Sequence, residues 1–273
     1  MGKFRFRFVL LSLCVGFFTL VAARSALGDH VRFYGDGLAP YVVVHDDGPP
    51  TGFAVALMQL MMHSIGEHFA PSDIKVLPWA RAVHEVEIAP RSALIVLGQL
   101  PERLDRFKWV GPLDELPLGA YARRGAGVRV ERLEDLTRYR IGVVRNTSPI
   151  QILINALPGI ENNFVMLSGI PAQLRMLREG RVDVIVQALG AIDRMMSAEE
   201  MVADDYQVVY RFEPLMIYFG FNKDTDEGLI DRLQSALDSF KKVDASGSSP
   251  YSRLRERYFS ETPPLDAEGA EGK

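Results

Sequence analysis

The strongest constraint on the fold is an alternation that begins at Val31. Short apolar runs follow one another, and between them lie stretches whose apolar residues recur at helical spacing. Residues 31–33, 41–44, 74–77 and 93–97 read as strands; the last is apolar throughout, as a buried parallel strand would be. Residues 54–69 read as a helix, because Leu57, Met61, Ile65 and Phe69 share a face, with Met58 and Met62 as core filler. Asp46-Asp47-Gly48-Pro49-Pro50 is a turn. Trp79 opens a helix that runs through Val86.

The same rhythm returns further on. A short helix is expected at 133–136, a strand at 139–144, and a helix from Asn146-Thr147-Ser148-Pro149 to Ala156. Strands at 164–167 and 182–186 and helices at 171–178 and 191–197 follow. Residues 116–122 and 208–221 look extended and flank this block. Helices close the chain at 227–242 and 251–258, separated by a Ser/Gly-rich loop, and the Pro- and acid-rich residues 261–273 read as a disordered tail. No internal sequence repeat is visible. Strands alternating with helices predict an α/β protein built around parallel sheets. Two extended crossovers predict two lobes, 29–116 plus 213–260 and 117–212, joined so that they can close on a ligand.

Ahead of this body lies an address. Lys3, Arg5 and Arg7 precede an apolar run over 8–23, which is shorter than the ~20 residues a membrane span needs. Ala26-Leu27-Gly28 then offers a small-x-small cleavage site, so 1–28 reads as a signal peptide, with a cut after Ala23 as the alternative. Cys14, the single cysteine, lies inside the apolar run with Leu13 before it, which is not a lipidation context. Its loss with the leader fits an oxidising compartment, the periplasm. The net charge of −4 and the lack of a dense basic run argue against a nucleic-acid partner. His30, His45, His63, His68 and His84 make no i, i+4 pair, so no metal site is expected. No phosphate loop, dinucleotide fingerprint or nucleophile elbow is present, so no cofactor is expected either.

Three stretches carry a family resemblance. Ala39-Pro40-Tyr41 is followed by Gly48-Pro49-Pro50-Thr51-Gly52-Phe53. Leu100-Pro101-Glu102-Arg103 is followed by Phe107-Lys108-Trp109-Val110-Gly111-Pro112. Arg140-Ile141-Gly142-Val143-Val144-Arg145-Asn146-Thr147-Ser148 is followed by Gly180-Arg181-Val182-Asp183. In this order and spacing they resemble the solute-binding proteins of polar amino-acid ABC transporters, over nearly all of 31–260. The resemblance implies the type 2 periplasmic binding fold, with two Rossmann-like lobes and a two-segment hinge. It implies a monomer that delivers a small ligand to an inner-membrane permease.

By that resemblance Arg103 clamps a ligand carboxylate, which suits a planar guanidinium. Thr147 and Ser148, with Asn146, match the hydroxyl residues at a helix start that hold the same group. Trp79 matches an apolar wall, and the adjacent Arg81, with Arg145, adds positive charge. Gly98 stands where the family has a hydroxyl residue, leaving only its backbone. The family's ammonium-binding aspartate, just after Gln187, is Ala188 here, and its stacking aromatic is Leu38. Asp36 is the candidate replacement for the acid, and Tyr34 or Tyr41 for the aromatic. Together these changes favour an anionic ligand over an ordinary α-amino acid. A receptor-docking sensor remains an alternative. A cyclohexadienyl-dehydratase-like enzyme is a weaker one, because Gln187, Ala188 and Leu189 cannot titrate.

Overall fold

The computed structural model describes residues 30–260; the expected signal peptide and C-terminal tail lie outside them. The first sheet contains β1 (Arg32–Gly35), β2 (Ile74–Val76), β3 (Ser92–Gly98), β4 (Phe107–Leu116) and β10 (Leu215–Asn222), in the order β2-β1-β3-β10-β4. The second contains β5 (Leu118–Arg123), β6 (Ile141–Val144), β7 (Phe164–Leu167), β8 (Val184–Ala188) and β9 (Tyr206–Arg211), in the order β7-β6-β8-β5-β9. In each, three strands run parallel and the long strand entering from the other lobe pairs antiparallel. The sheets are therefore mixed, where the alternation alone predicted parallel ones. Their matching orders make a structural repeat that leaves no trace as sequence repetition.

Among the described residues seven α-helices cover the sheets: α1 (Phe53–Ser64), α2 (Trp79–Ile88), α3 (Ser148–Ala156), α4 (Ile170–Arg178), α5 (Ile192–Ala198), α6 (Glu227–Lys241) and α7 (Pro250–Phe259). All of β3 is buried, as an apolar strand flanked on both faces must be. The chain crosses between sheets twice, at Pro117 and over 212–214. Among the described residues no helix is long and apolar enough to cross a membrane.

Two sequence expectations are corrected. Residues 41–44 are not a strand: Tyr41 N–H and Val42 N–H both donate to Leu38 O, and only isolated bridges form. That loop turns back because its carbonyls have another task. Pro40 O and Tyr41 O accept from Phe53 N–H and Ala54 N–H, capping α1, whose start has no side-chain cap. Gly52 is required there, since a Cβ would lie 2.4 Å from Tyr41 O. The helix expected to reach Phe69 stops at Ser64, and Gly66 turns the chain at φ 75°. Phe69 packs edge-on to Phe33 instead. Residues 107–116, to which the sequence reading assigned no element, form a strand although they contain Gly111-Pro112; β4 lies at the sheet edge, where a missing N–H is tolerated.

Arg140 and Asp183 of the third motif are structural. Arg140 N–H, Nε and Nη2 all donate to the Asp183 carboxylate, fastening the start of β6 to the loop before β8. This pairing lowers the Asp183 pKa.

Candidate functional site

A cleft of about 610 Å³ opens between the lobes. It lies where the parallel strands of both sheets end and helices begin, the usual ligand position in such sheets. Three helix starts line it: Pro78-Trp79-Ala80 of α2, Thr147-Ser148-Pro149 of α3, and Gly169-Ile170-Pro171 of α4. None has a side-chain cap. The free N–H groups and positive dipole ends of α3 and α4 favour an anion, while at α2 Trp79 N–H already faces the Asp36 carboxylate. At α3 a plain capping role for Thr147 is replaced by another bond, since its hydroxyl donates to Val144 O at 2.6 Å.

Arg103 lies behind this lining. It is 5% exposed, held by the single turn Pro101–Arg103. Its Nη1 donates to Gly98 O (3.0 Å) and to Ser148 Oγ (2.9 Å), and its Nη2 to Asn146 O (3.0 Å). Three of a guanidinium's five N–H groups are thus used, all on uncharged oxygens. Glu102, a possible ion-pair partner, accepts instead from Asn155 on α3. Burial lowers the Arg103 pKa.

Trp79 joins the lobes from the other side. Its indole N–H donates to Asn146 O at 2.8 Å, while its ring packs on the cluster around Ala82 and Leu94. Asn146 therefore acts through its carbonyl rather than its amide, at φ 61°, a conformation asparagine accepts more readily than most residues. Gly98 lines the cleft at the end of β3; a Cβ there would sit 2.8 Å from Ser148 Oγ and 2.4 Å from Leu215 Cδ2.

Asp36 and Gln187 also line the cleft. An oxygen of Asp36 accepts Gly37 N–H at 2.8 Å; burial raises its pKa, opposed by the N–H groups of Gly37 and Trp79. Gln187 donates to Gln173, which in turn donates to Gly142 O. Two expected ligand residues are elsewhere. Tyr34 is 3% exposed inside the cluster with Val83, Leu94 and Phe107, because its strand position points beneath α2. Arg81 faces outward and pairs with Glu85 one helical turn on. Arg145 is exposed.

Sequence reasoning missed Glu199 and the start of α4, both in the lining. Glu199 follows α5 and pairs with Arg175 at 3.2 Å, a placement with no local signal. Ser168-Gly169-Ile170-Pro171 did carry one, since a proline in the first turn marks a helix start.

No protein-family model and no curated protein matches the chain. Solved structures do. A histidine kinase sensor domain with similarity to periplasmic binding proteins gives a TM-score of 0.72 at 18% identity, over 85% of this chain and 97% of that one. An ancestral arginine-binding protein bound to arginine gives 0.68 at 16%, over 84% and 98%. The substrate binding protein of an amino acid ABC transporter gives 0.66 at 15%, over 84% and 99%. The chain has the two-lobed fold of the type 2 periplasmic binding proteins.

Proposed function

We propose that this chain is a periplasmic solute-binding protein, exported by residues 1–28, that captures a small carboxylate-bearing solute between its lobes. It delivers that solute, as a monomer, to an inner-membrane ABC permease. The observation that carries the reading is Arg103, a buried cation between the lobes with only neutral partners and two N–H groups to spare. A carboxylate supplies the missing counter-charge and accepts in parallel from a guanidinium. It also satisfies free N–H groups at the start of α3.

Residues 29–116 plus 213–260 move as one lobe and 117–212 as the other. Ligand energy shifts the population toward the closed form, which the permease recognises. The likeness to an ABC transporter's substrate binding protein supports this output. The likeness to a kinase sensor domain favours a second one, docking of the closed form to a membrane receptor. We assign no catalytic step: Asp36 and Glu199, the titratable groups of the lining, are both engaged by protein donors.

A thermal-shift panel of carboxylates, each beside its primary amide, tests the reading. A ligand bound only by the folded state raises Tm. Carboxylates should do so and their amides should not; equal shifts from both would remove the carboxylate from the account.

A further inference from the structure

We infer that the solute is an apolar monocarboxylate without an ammonium group. This rests on carboxylate capture and narrows it to a chemical class.

An ammonium brings three N–H donors, and burying it without matching acceptors or a counter-charge is costly. Of the two carboxylates in the lining, Glu199 pairs with Arg175, and Asp36 accepts from the N–H groups of Gly37 and Trp79. Gln187 donates its amide N–H to Gln173 and keeps only an uncharged oxygen. At the end of β8 the wall is the Ala188 methyl.

The starts of α3 and α4 reach the cleft without side-chain caps, and Arg103 lies behind it. Each contributes positive potential, whereas at the start of α2 the Asp36 carboxylate faces Trp79 N–H and offsets it. One anionic group gains from that field, whereas an ammonium beside it is repelled.

Away from α3 the walls are largely aliphatic, with Val76, Val96, Leu174, Met195 and Ile217 joined by Trp79. Such a surface gains from burying hydrocarbon and gives nothing to a polar tail. The volume lies in the range of sites that take small organic ligands, about 300–1,000 Å³.

Calorimetry on the purified full chain separates the possibilities. The probes are 3-phenylpropionate, indole-3-propionate and octanoate. Each is compared with its amino-acid counterpart (L-phenylalanine, L-tryptophan, 2-aminooctanoate) and its alcohol (3-phenylpropanol, indole-3-propanol, 1-octanol). At least one carboxylate should bind about tenfold or more tighter than both counterparts, as expected when a charge loses or gains one matched partner. If the amino acid binds as well as the carboxylate, the inference fails and carboxylate capture stands. If the alcohol binds as well, carboxylate capture itself fails. If no probe binds, the apolar class is wrong, and carboxylate capture is judged separately by the paired amides.

Discussion

Nη1 of Arg103 donates to the Ser148 hydroxyl at 2.9 Å, although the two residues lie 45 positions apart and serve different sheets. On the proposed hinge motion the bond forms only with the lobes together. Ser148 also stands first in α3, so one residue connects the buried cation to the helix start. Ser148→Ala should therefore weaken solute binding by about tenfold, the worth of one hydrogen bond to a charged group, with little change in Tm. Calorimetry beside a melting curve checks both halves. A large fall in Tm with unchanged affinity would make the contact purely structural.

Gly98 leaves the space that Ser148 and Leu215 occupy. Any side chain there must displace Ser148 Oγ and Leu215 Cδ2. Gly98→Ala should reduce affinity several-fold and Gly98→Val by more, since overpacking typically costs about 1–3 kcal/mol. Affinities that stay level across the series would show that the lobes close elsewhere.

Trp79 reports closure because its indole spans the lobes to Asn146 O. Trp109, the other tryptophan, stacks edge-on against Phe107 and Tyr218 within the first sheet. Solute should change the emission of Trp109→Phe but not that of Trp79→Phe. The reverse pattern would contradict a closure at Trp79.

Asp36 yields a prediction with a sign. Burial raises its folded-state pKa, so the folded chain holds that proton more readily than the unfolded chain. Its charge is therefore a penalty near neutral pH, and the penalty disappears as pH falls through the raised pKa. Asp36→Asn should melt higher than the parent at pH 7, and the gap should close toward pH 4. A gap that widens on acidification would mean that the carboxylate is stabilised in the fold. Asp183 has the opposite sign: Arg140 lowers its pKa, so its contribution is present at neutral pH and fades on acidification.

Much of the fold was legible because periodicity and burial agree, as in β3, where every residue is apolar or small and every residue is buried. What was hidden depends on distant partners. The 41–44 segment has strand composition, yet Tyr41 O, with the preceding Pro40 O, is drawn to α1. The edge strand β4 conceals itself behind Gly111-Pro112. In the site, Arg103, Ser148 and Trp79 were readable as types suited to a carboxylate and a wall; the fold puts Trp79 and Ser148 in the cleft lining and bonds Arg103 to Ser148 behind it. The role of Asn146 was not readable, because a backbone carbonyl accepting from both Trp79 and Arg103 has no signature in residue type. Tyr34 misled for the opposite reason: an aromatic near a cleft loop is equally suited to the core behind it.

The central claim is that Arg103 holds the solute's carboxylate. Titration calorimetry of the tightest carboxylate against the parent chain and Arg103→Ala, with melting curves for both, tests it most directly. Losing a charged, doubly hydrogen-bonded partner corresponds to roughly 1.5–3 kcal/mol, so Arg103→Ala should bind at least about tenfold more weakly while still folded. Equal affinity in a folded variant would contradict the account.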